Sequence, residues 1–233
     1  MKTPAEIIQT ARSEGRTALF EHEAKALAHA VGIIVPRSEV VGLNRESDLI
    51  AAGGRLGFPL ALKAVSPDIL HKTEAGAIAL HIENVTMLAA AARAMKSRIA
   101  SRVPGAVIRH LLIEKMMPPG LELLIGGMRD EQFGPSVAIG LGGVWVEALR
   151  DAVFGILPLT HEETLDMISR TRASMFLRGF RNNPALDEEA VHLIIGNLGK
   201  LLTDFPEIRE IDLNPVRVYE KGAAALDARV IIA

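Results

Sequence analysis

Residues 107–128 read VIRHLLIEKMMPPGLELLIGGM, and this stretch decides the fold. An apolar strand from Val107 to Glu114 runs into Pro118-Pro119-Gly120, and a second strand opens at Glu122 and runs to Met128. Proline removes a ladder donor and glycine loosens the backbone, so no single strand passes through this break. The chain differs in character on its two sides. Upstream, helix is predicted from about Glu46 to Leu56, strand over Leu60–Val65, strand over Ala77–Ile82 and helix over Val85–Ser101. Downstream, strands are predicted over Glu122–Met128, Ser136–Leu141, Val153–Pro158, Ile211–Tyr219 and Ala223–Ile231, with helices at about His161–Thr171 and Leu186–Thr203. The Pro-Pro-Gly break therefore reads as a hinge between two lobes of an α+β protein.

The N-terminus reads as a helical pair. Leu19, His22, Glu23, Leu27 and Val31 fall near a 3.6-residue period, and Gly32 suits a helix C-cap. Ile33-Ile34-Val35-Pro36 is an extended exit, because proline ends a helix before it.

Composition narrows the function classes. The 233 residues are 49% hydrophobic and 23% charged, an ordinary globular balance. Lys and Arg number 26 against 28 Asp and Glu, a net charge of -2, so no global field gathers nucleic acid or an anionic membrane. Aromatic residues are 4%, too few for a stacking platform for single-stranded nucleic acid. The absence of cysteine excludes disulfides, thiolate metal sites and a Cys nucleophile. Met1–Arg12 carries Glu6 and lacks the apolar run of a signal peptide. The longest charge-free stretch, Gln132–Val146, is shorter than the ~20 residues a membrane helix needs. A soluble, cytoplasmic protein with neither nucleic acid nor membrane as partner is expected.

Four segments could carry chemistry. In Pro59-Leu60-Ala61-Leu62-Lys63-Ala64-Val65 a lone cation interrupts an apolar strand. Lys63 either snorkels from a strand end or aims its ammonium at an anion such as a nucleotide phosphate. The loop Ser66–Gly76 holds His71, which is either a solvated surface residue or an imidazole nucleophile toward phosphorus, its lone pair largely available near neutral pH. The glycines from Gly134 through Gly140, Gly142 and Gly143 match neither a P-loop nor a dinucleotide fingerprint; they fit a phosphate-approaching backbone and a tight sheet turn equally well. Finally, strand alternation puts Glu210, Asp212 and Asn214 on one face, and the turn at Glu220-Lys221-Gly222 would bring Asp227 beside Asn214. Converging oxygen ligands suit Mg²⁺ that also holds nucleotide phosphates, whereas a solvated acidic face is the simpler alternative.

Together these stretches resemble one family: the ATP-grasp subunit of the ADP-forming (NDP-forming) acyl-CoA synthetases, related to the succinyl-CoA synthetase β chain. The resemblance is carried by GFPLALKAVSPDILHKTEAGAIAL, IEKMMPPGLELLIGGMRDEQFGP, GLGGVWVEALRD and FPEIREIDLNPVRVYEKGAAALDA, in order, across residues 57–228. Glu23-Ala24-Lys25 and Val31-Gly32-Ile33 also fit. It implies an ATP-grasp fold whose two lobes clamp a nucleotide: residues 1–35 as its N-terminal helical part, 36–117 as the lobe carrying the His71 loop, and 118–233 as the lobe with the metal-binding strands.

By that resemblance, Lys63 contacts the nucleotide phosphates, Glu114-Lys115-Met116 meets adenine through backbone groups, and Glu122 lies near the ribose or phosphates. Asn214 and Asp227 match Mg²⁺ ligands, and Asp212 matches an acidic residue that steadies the histidine. His71 falls on the histidine that relays a phosphoryl group between a phosphohistidine of a separate α chain and ADP or ATP. The implied reaction is acyl-CoA + phosphate + ADP ⇌ acid + CoA + ATP. The CoA-binding and ligase domains would sit on the α subunit of a hetero-oligomer. Gly76-Ala77 stands where relatives often carry two glycines, which would stiffen the loop slightly. Two other readings are a non-catalytic ATP-binding accessory module and an ATP-grasp ligase that forms an acyl phosphate directly. Lys63, His71, Asn214 and Asp227 occurring together speak against the first, and the histidine-bearing loop against the second.

Overall fold

A computed structural model describes residues 2–43, 45–69, 72–143 and 151–233. His71 and Val144–Arg150 of the glycine-rich loop lie outside the described residues. The chain divides into two compact units, one made of residues 36–118 and the other of residues 1–35 together with 119–233.

The first unit is a four-stranded sheet with helices on one face. β1 (Ser38–Gly42), α3 (Glu46–Leu56), β2 (Leu60–Val65), β3 (Ile78–Ile82), α4 (Val85–Arg102) and β4 (His110–Lys115) follow in order. The strand order is β1-β4-β2-β3, antiparallel at every pairing. Strand alternation turns Leu60, Leu62 and Ala64 of β2 and Leu111 and Ile113 of β4 into one buried layer, which meets Leu49, Leu88, Met95 and Ile99 of the helices. Asn84 starts α4 by accepting a hydrogen bond from the Met87 N–H at 2.9 Å, which satisfies one of the orphan donors of its first turn.

The second unit begins with α1 (Pro4–Ser13) and α2 (Glu21–Ala30) and resumes with β5 (Leu121–Asp130), β6 (Gly134–Leu141) and β7 (Val153–Ile156). The helices α5 (His161–Arg170), α6 (Ala173–Leu177) and α7 (Glu188–Asp204) come next, then β8 (Ile208–Val218), β9 (Ala223–Ala225) and β10 (Arg229–Ile232). The sheet runs β10-β8-β5-β6-β7, and β9 also pairs with β8. Its buried face, with Ile125, Ile139, Ile211 and Leu213, packs on Leu198, Leu201 and Leu202 of α7. Gly127 makes this close packing feasible, since a Cβ there would stand 2.5 Å from both Leu198 and Leu202.

The N-terminal residues join this second unit for a structural reason. Ile7, Ile8 and Ala11 of α1 share its core. Leu19 donates its N–H to the Val230 carbonyl at 3.0 Å, Ile232 donates to Thr17 at 2.8 Å and Ala225 donates to Ile34 at 2.8 Å, so the segment is stitched to the C-terminal strands.

Three elements differ from the sequence expectation. β1 is a strand in its own right after Pro36, and the five-residue α6 follows α5. The expected strand Ala223–Ile231 is two strands, β9 and β10, separated at Leu226–Ala228. Among the described residues, no helix is long and apolar enough to cross a membrane.

Candidate active site

The residues singled out in the sequence fall in both units. In residues 36–118, Lys63 stands in mid-β2, opposite Leu112 of β4. Glu114 is two residues further along β4, opposite Ala61, and so becomes the diagonal cross-strand neighbour of Lys63 on the same face. Lys63 Nζ donates to Glu114 Oε2 at 2.7 Å. The two residues are 5% and 3% exposed. Lys63 is therefore no snorkelling cation at a strand end; it is a buried charge held by a buried carboxylate. Desolvating each ion costs several kcal/mol, which only close pairing offsets. An ammonium has three donors, and Glu114 takes one of them.

Lys115 is the last residue of β4 and Met116 follows it. The Lys115 ammonium donates to the carbonyls of Gly57 and Phe58, which fixes the β2 approach rather than reaching outward. The Lys115 N–H donates to Arg37 at 2.9 Å and the Met116 N–H to Pro59 at 3.1 Å. The expectation that this segment meets adenine through backbone groups is thereby narrowed: these two N–H groups are already engaged.

In the other unit, β8 carries the acidic face. Its register with β5 shifts between Leu123, opposite Val216, and Ile125, opposite Leu213, so Asn214 and Pro215 together oppose Leu124. Such a bulge bends the strand and resets its alternation. Ile211, Leu213, Val216 and Val218 thus all stay buried, while Glu210, Asp212, Asn214 and Arg217 share the opposite face.

Asn214 and Asp227 meet by register. Asp212 pairs with Arg229 on β10, and Val216 pairs with Ala225 on β9. Continued from either side, both ladders lead to the level of Asn214 and Asp227, the place at which β9 stops and β10 has yet to begin. These pairs therefore bracket Asn214 and Asp227 from both sides, and the break in the final strand, residues 226–228, contains the acidic residue itself. The two side chains offer hard oxygen donors, the chemistry Mg²⁺ selects, so the residues fit such an ion.

Negative charge accumulates around this point. Burial, followed by repulsion from Glu210, raises the Asp212 carboxyl to about 6; Asp227 adds to the rise and Arg229 opposes it. An open recess of about 160 Å³ is bounded here by Gly126, Ser136, Ala138, Phe154, Glu210 and Asp212.

One further participant, Arg217, is not anticipated by the sequence. Glu122 lies opposite Arg217, whose guanidinium donates to Glu122 Oε1 at 2.5 Å. Gly143 donates its N–H to Asn214 Oδ1 at 3.3 Å, with φ at +61° and no room for a Cβ beside Glu122 Oε2. The glycine run therefore ends against the residues of the acidic face, as a close backbone approach requires. A proline inside a predicted strand, Pro215, is the signal that could have revealed the bulge and with it Arg217.

Comparison with known proteins agrees with this architecture. Residues 10–232 match the family described as ATP-grasp domain. The acetate–CoA ligase (ADP-forming) I subunit beta of Pyrococcus furiosus is 39% identical over 227 residues, which covers 97% of each chain. A solved dinucleotide-forming acetyl-coenzyme A synthetase 1 of Ca. Korarchaeum cryptofilum, in complex with coenzyme A, Ca-AMPCP and HgCl+, superposes with a TM-score of 0.93 at 36% identity, covering 97% of this chain and 98% of that one. A second structure of that synthetase, with coenzyme A, Mg-AMPPCP and a phosphohistidine segment pointing towards the nucleotide binding site, gives a TM-score of 0.86 at 34% identity, covering 99% and 100%. With this similarity along nearly the whole chain, the protein belongs to the ATP-grasp family, among the relatives of the β subunits of ADP-forming acetate–CoA ligases.

Proposed function

We propose that this chain is the nucleotide-handling subunit of an ADP-forming acyl-CoA synthetase, and that it transfers a phosphoryl group between ADP or ATP and a phosphohistidine of a separate α subunit. The observation that carries this reading is the similarity to a β subunit over 97% of both chains. The α subunit would hold the CoA-binding and ligase domains.

The chemistry runs as acyl-CoA + phosphate + ADP ⇌ acid + CoA + ATP. On the partner, phosphate displaces CoA to give an acyl phosphate, whose phosphoryl group passes to a histidine as the acid leaves. A ring nitrogen of His71 then attacks that phosphorus, the bond to the partner imidazole breaks, and the partner histidine is released neutral. The terminal phosphate oxygen of ADP attacks the phosphorus on His71, which restores the imidazole and forms ATP. Each transfer exchanges one P–N or P–O bond for another, so no step requires a strong base.

Lys63 neutralises phosphate charge during the last transfer, with Glu114 fixing its position. Glu122, oriented by Arg217, lies toward the ribose or phosphates. Asn214 and Asp227 would hold Mg²⁺, which when bound supplies charge neutralisation on the nucleotide phosphates. Asp212 steadies the incoming histidine.

The test uses the purified chain with γ-labelled ATP and Mg²⁺. A base-stable, acid-labile adduct on the wild type that disappears in His71→Ala is expected. An adduct of equal yield on the variant would overturn the relay, and nucleotide binding measured in parallel confirms that His71→Ala still binds ATP. If wild type alone gives no adduct, the chain is combined with an α chain and supplied with acyl-CoA, phosphate and ADP, where His71→Ala must abolish ATP formation.

A further inference from the structure

We propose that His161, Glu189 and His192 form a binding site for a borderline transition-metal cation such as Zn²⁺, separate from the acidic face of β8 and from Asp227. His161 is the first residue of α5, and Glu189 and His192 stand three apart near the start of α7. Residues at i and i+3 share a helix face, so these two project together toward α5. The nearest donor atoms of all three side chains lie within 4.8 Å of one another. His161 Nε2 is 3.9 Å from Glu189 Oε2, and the two imidazoles meet edge to face with centroids 4.2 Å apart.

A tetrahedral zinc ion with bonds of ~2.0–2.2 Å holds its donors about 3.3–3.6 Å apart. Closing the cluster to that size takes about 1 Å of side-chain movement, and the side chains that must move are free to do so: His161 is 52% exposed and Glu189 58% exposed. His192 is less exposed, and its Nδ1 is shielded from water without a hydrogen-bond partner among the described residues. That nitrogen is thus not committed to a protein contact that binding would have to break.

The ligand set identifies the class of ion. Two imidazoles and one carboxylate suit Zn²⁺, Co²⁺ or Ni²⁺ and suit Mg²⁺ or Ca²⁺ poorly, since those demand oxygen. Three protein ligands leave a fourth position for water. The electrostatics also favour a cation. Two helix N-termini each bring about half a positive charge, but Glu162, Glu163, Glu188 and Glu189 occupy their first turns and outweigh it. An ion here would tie α5 to α7, the helix that carries the buried face of the sheet.

The experiment titrates ZnCl₂ into the full chain without nucleotide or Mg²⁺, following affinity by competition with a chromophoric chelator. Co²⁺ is substituted in parallel to read visible d–d bands. Wild type should bind one equivalent, and His161→Gln, Glu189→Gln and His192→Gln should each weaken that site at least tenfold, with loss of the cobalt bands. Asp227→Asn should leave it unchanged, which separates it from the acidic face of β8 and from Asp227. The first two positions are exposed, so their variants decide the matter even if His192→Gln fails to fold. No zinc uptake by wild type, or equal affinity in wild type, His161→Gln and Glu189→Gln, would overturn the proposal.

Discussion

Lys63 Nζ lies 2.7 Å from Glu114 Oε2, and neither residue reaches more than 5% exposure. The pair is built by the β2–β4 register, which sets Glu114 one diagonal step from Lys63. A lysine proposed to face phosphate is therefore oriented by a carboxylate that also stabilises it when no anion is bound. Its structural and functional contributions can be separated by mutation.

Removing Glu114 alone takes the paired carboxylate from a buried ammonium. Glu114→Gln should cost about 3–5 kcal/mol of stability, the usual consequence of breaking one side of a buried ion pair. Replacing both partners, Lys63→Met with Glu114→Leu, should recover most of that loss, because an apolar pair needs no desolvation compensation. The recovered double variant should fold yet bind Mg-ADP poorly. Denaturant titration with calorimetric binding checks both halves; a double variant as unstable as Glu114→Gln would show that the pair is not the source of the cost.

How far this pair was legible in sequence depends on distance along the chain. Lys63 stood out because a cation inside an apolar run is costly, but nothing local identifies Glu114 as its partner; only strand register does. Asn214 and Asp227 were readable because one hairpin turn separates them, so period-two alternation and loop length suffice. Arg217 was not, because the bulge at Asn214-Pro215 reverses the alternation that the reading relied on. Helix α3 and strand β2 matched their expected limits, since each has a clear period and a Gly-Phe-Pro break between them. The five-residue α6 is too short to display a helical period. Ala223–Ile231 read as one apolar strand because a single Asp does not mark a break; the register of β8 does.

Gly143 offers a test of the acidic face without touching a charged residue. Its φ of +61° disfavours any side chain, and an added Cβ would fall on the Glu122 carboxylate. Gly143→Ala should therefore displace Glu122 from Arg217 and weaken Mg-ADP binding about tenfold or more, ~1.4 kcal/mol. Gly134 has a similar φ of +78° with nothing within 4 Å of its Cβ. Gly134→Ala should lose about 1–2 kcal/mol of stability from backbone strain while leaving binding intact. Equal binding losses in the two variants would mean that strain, not the approach to Glu122, is responsible.

Asp187 couples α7 to the hairpin that presents Asn214 and Asp227. Its carboxylate accepts hydrogen bonds from the Ala190 N–H at 2.9 Å and from the Gly222 N–H at 2.7 Å, and its own N–H donates to the Tyr219 carbonyl at 2.8 Å. The Gly222 and Ala190 bonds hold the Asp187 carboxyl below its ordinary value of 3.8. A depressed folded-state value means that the unfolded chain takes up the proton first as pH falls. The stabilisation is thus complete above the ordinary value and is lost as pH drops through the lower folded value. Asp187→Ala should cost about 1–2 kcal/mol at neutral pH, the range for losing a helix N-cap. That difference from wild type should shrink on acidification below the ordinary carboxylate range, because protonated Asp187 no longer accepts both bonds well. Stability curves collected from neutral to strongly acidic pH provide the check. A difference that stays constant across that range would mean the ionised carboxylate contributes nothing beyond its shape, and the hairpin turn at Glu220-Lys221-Gly222 would have to be held by its backbone alone.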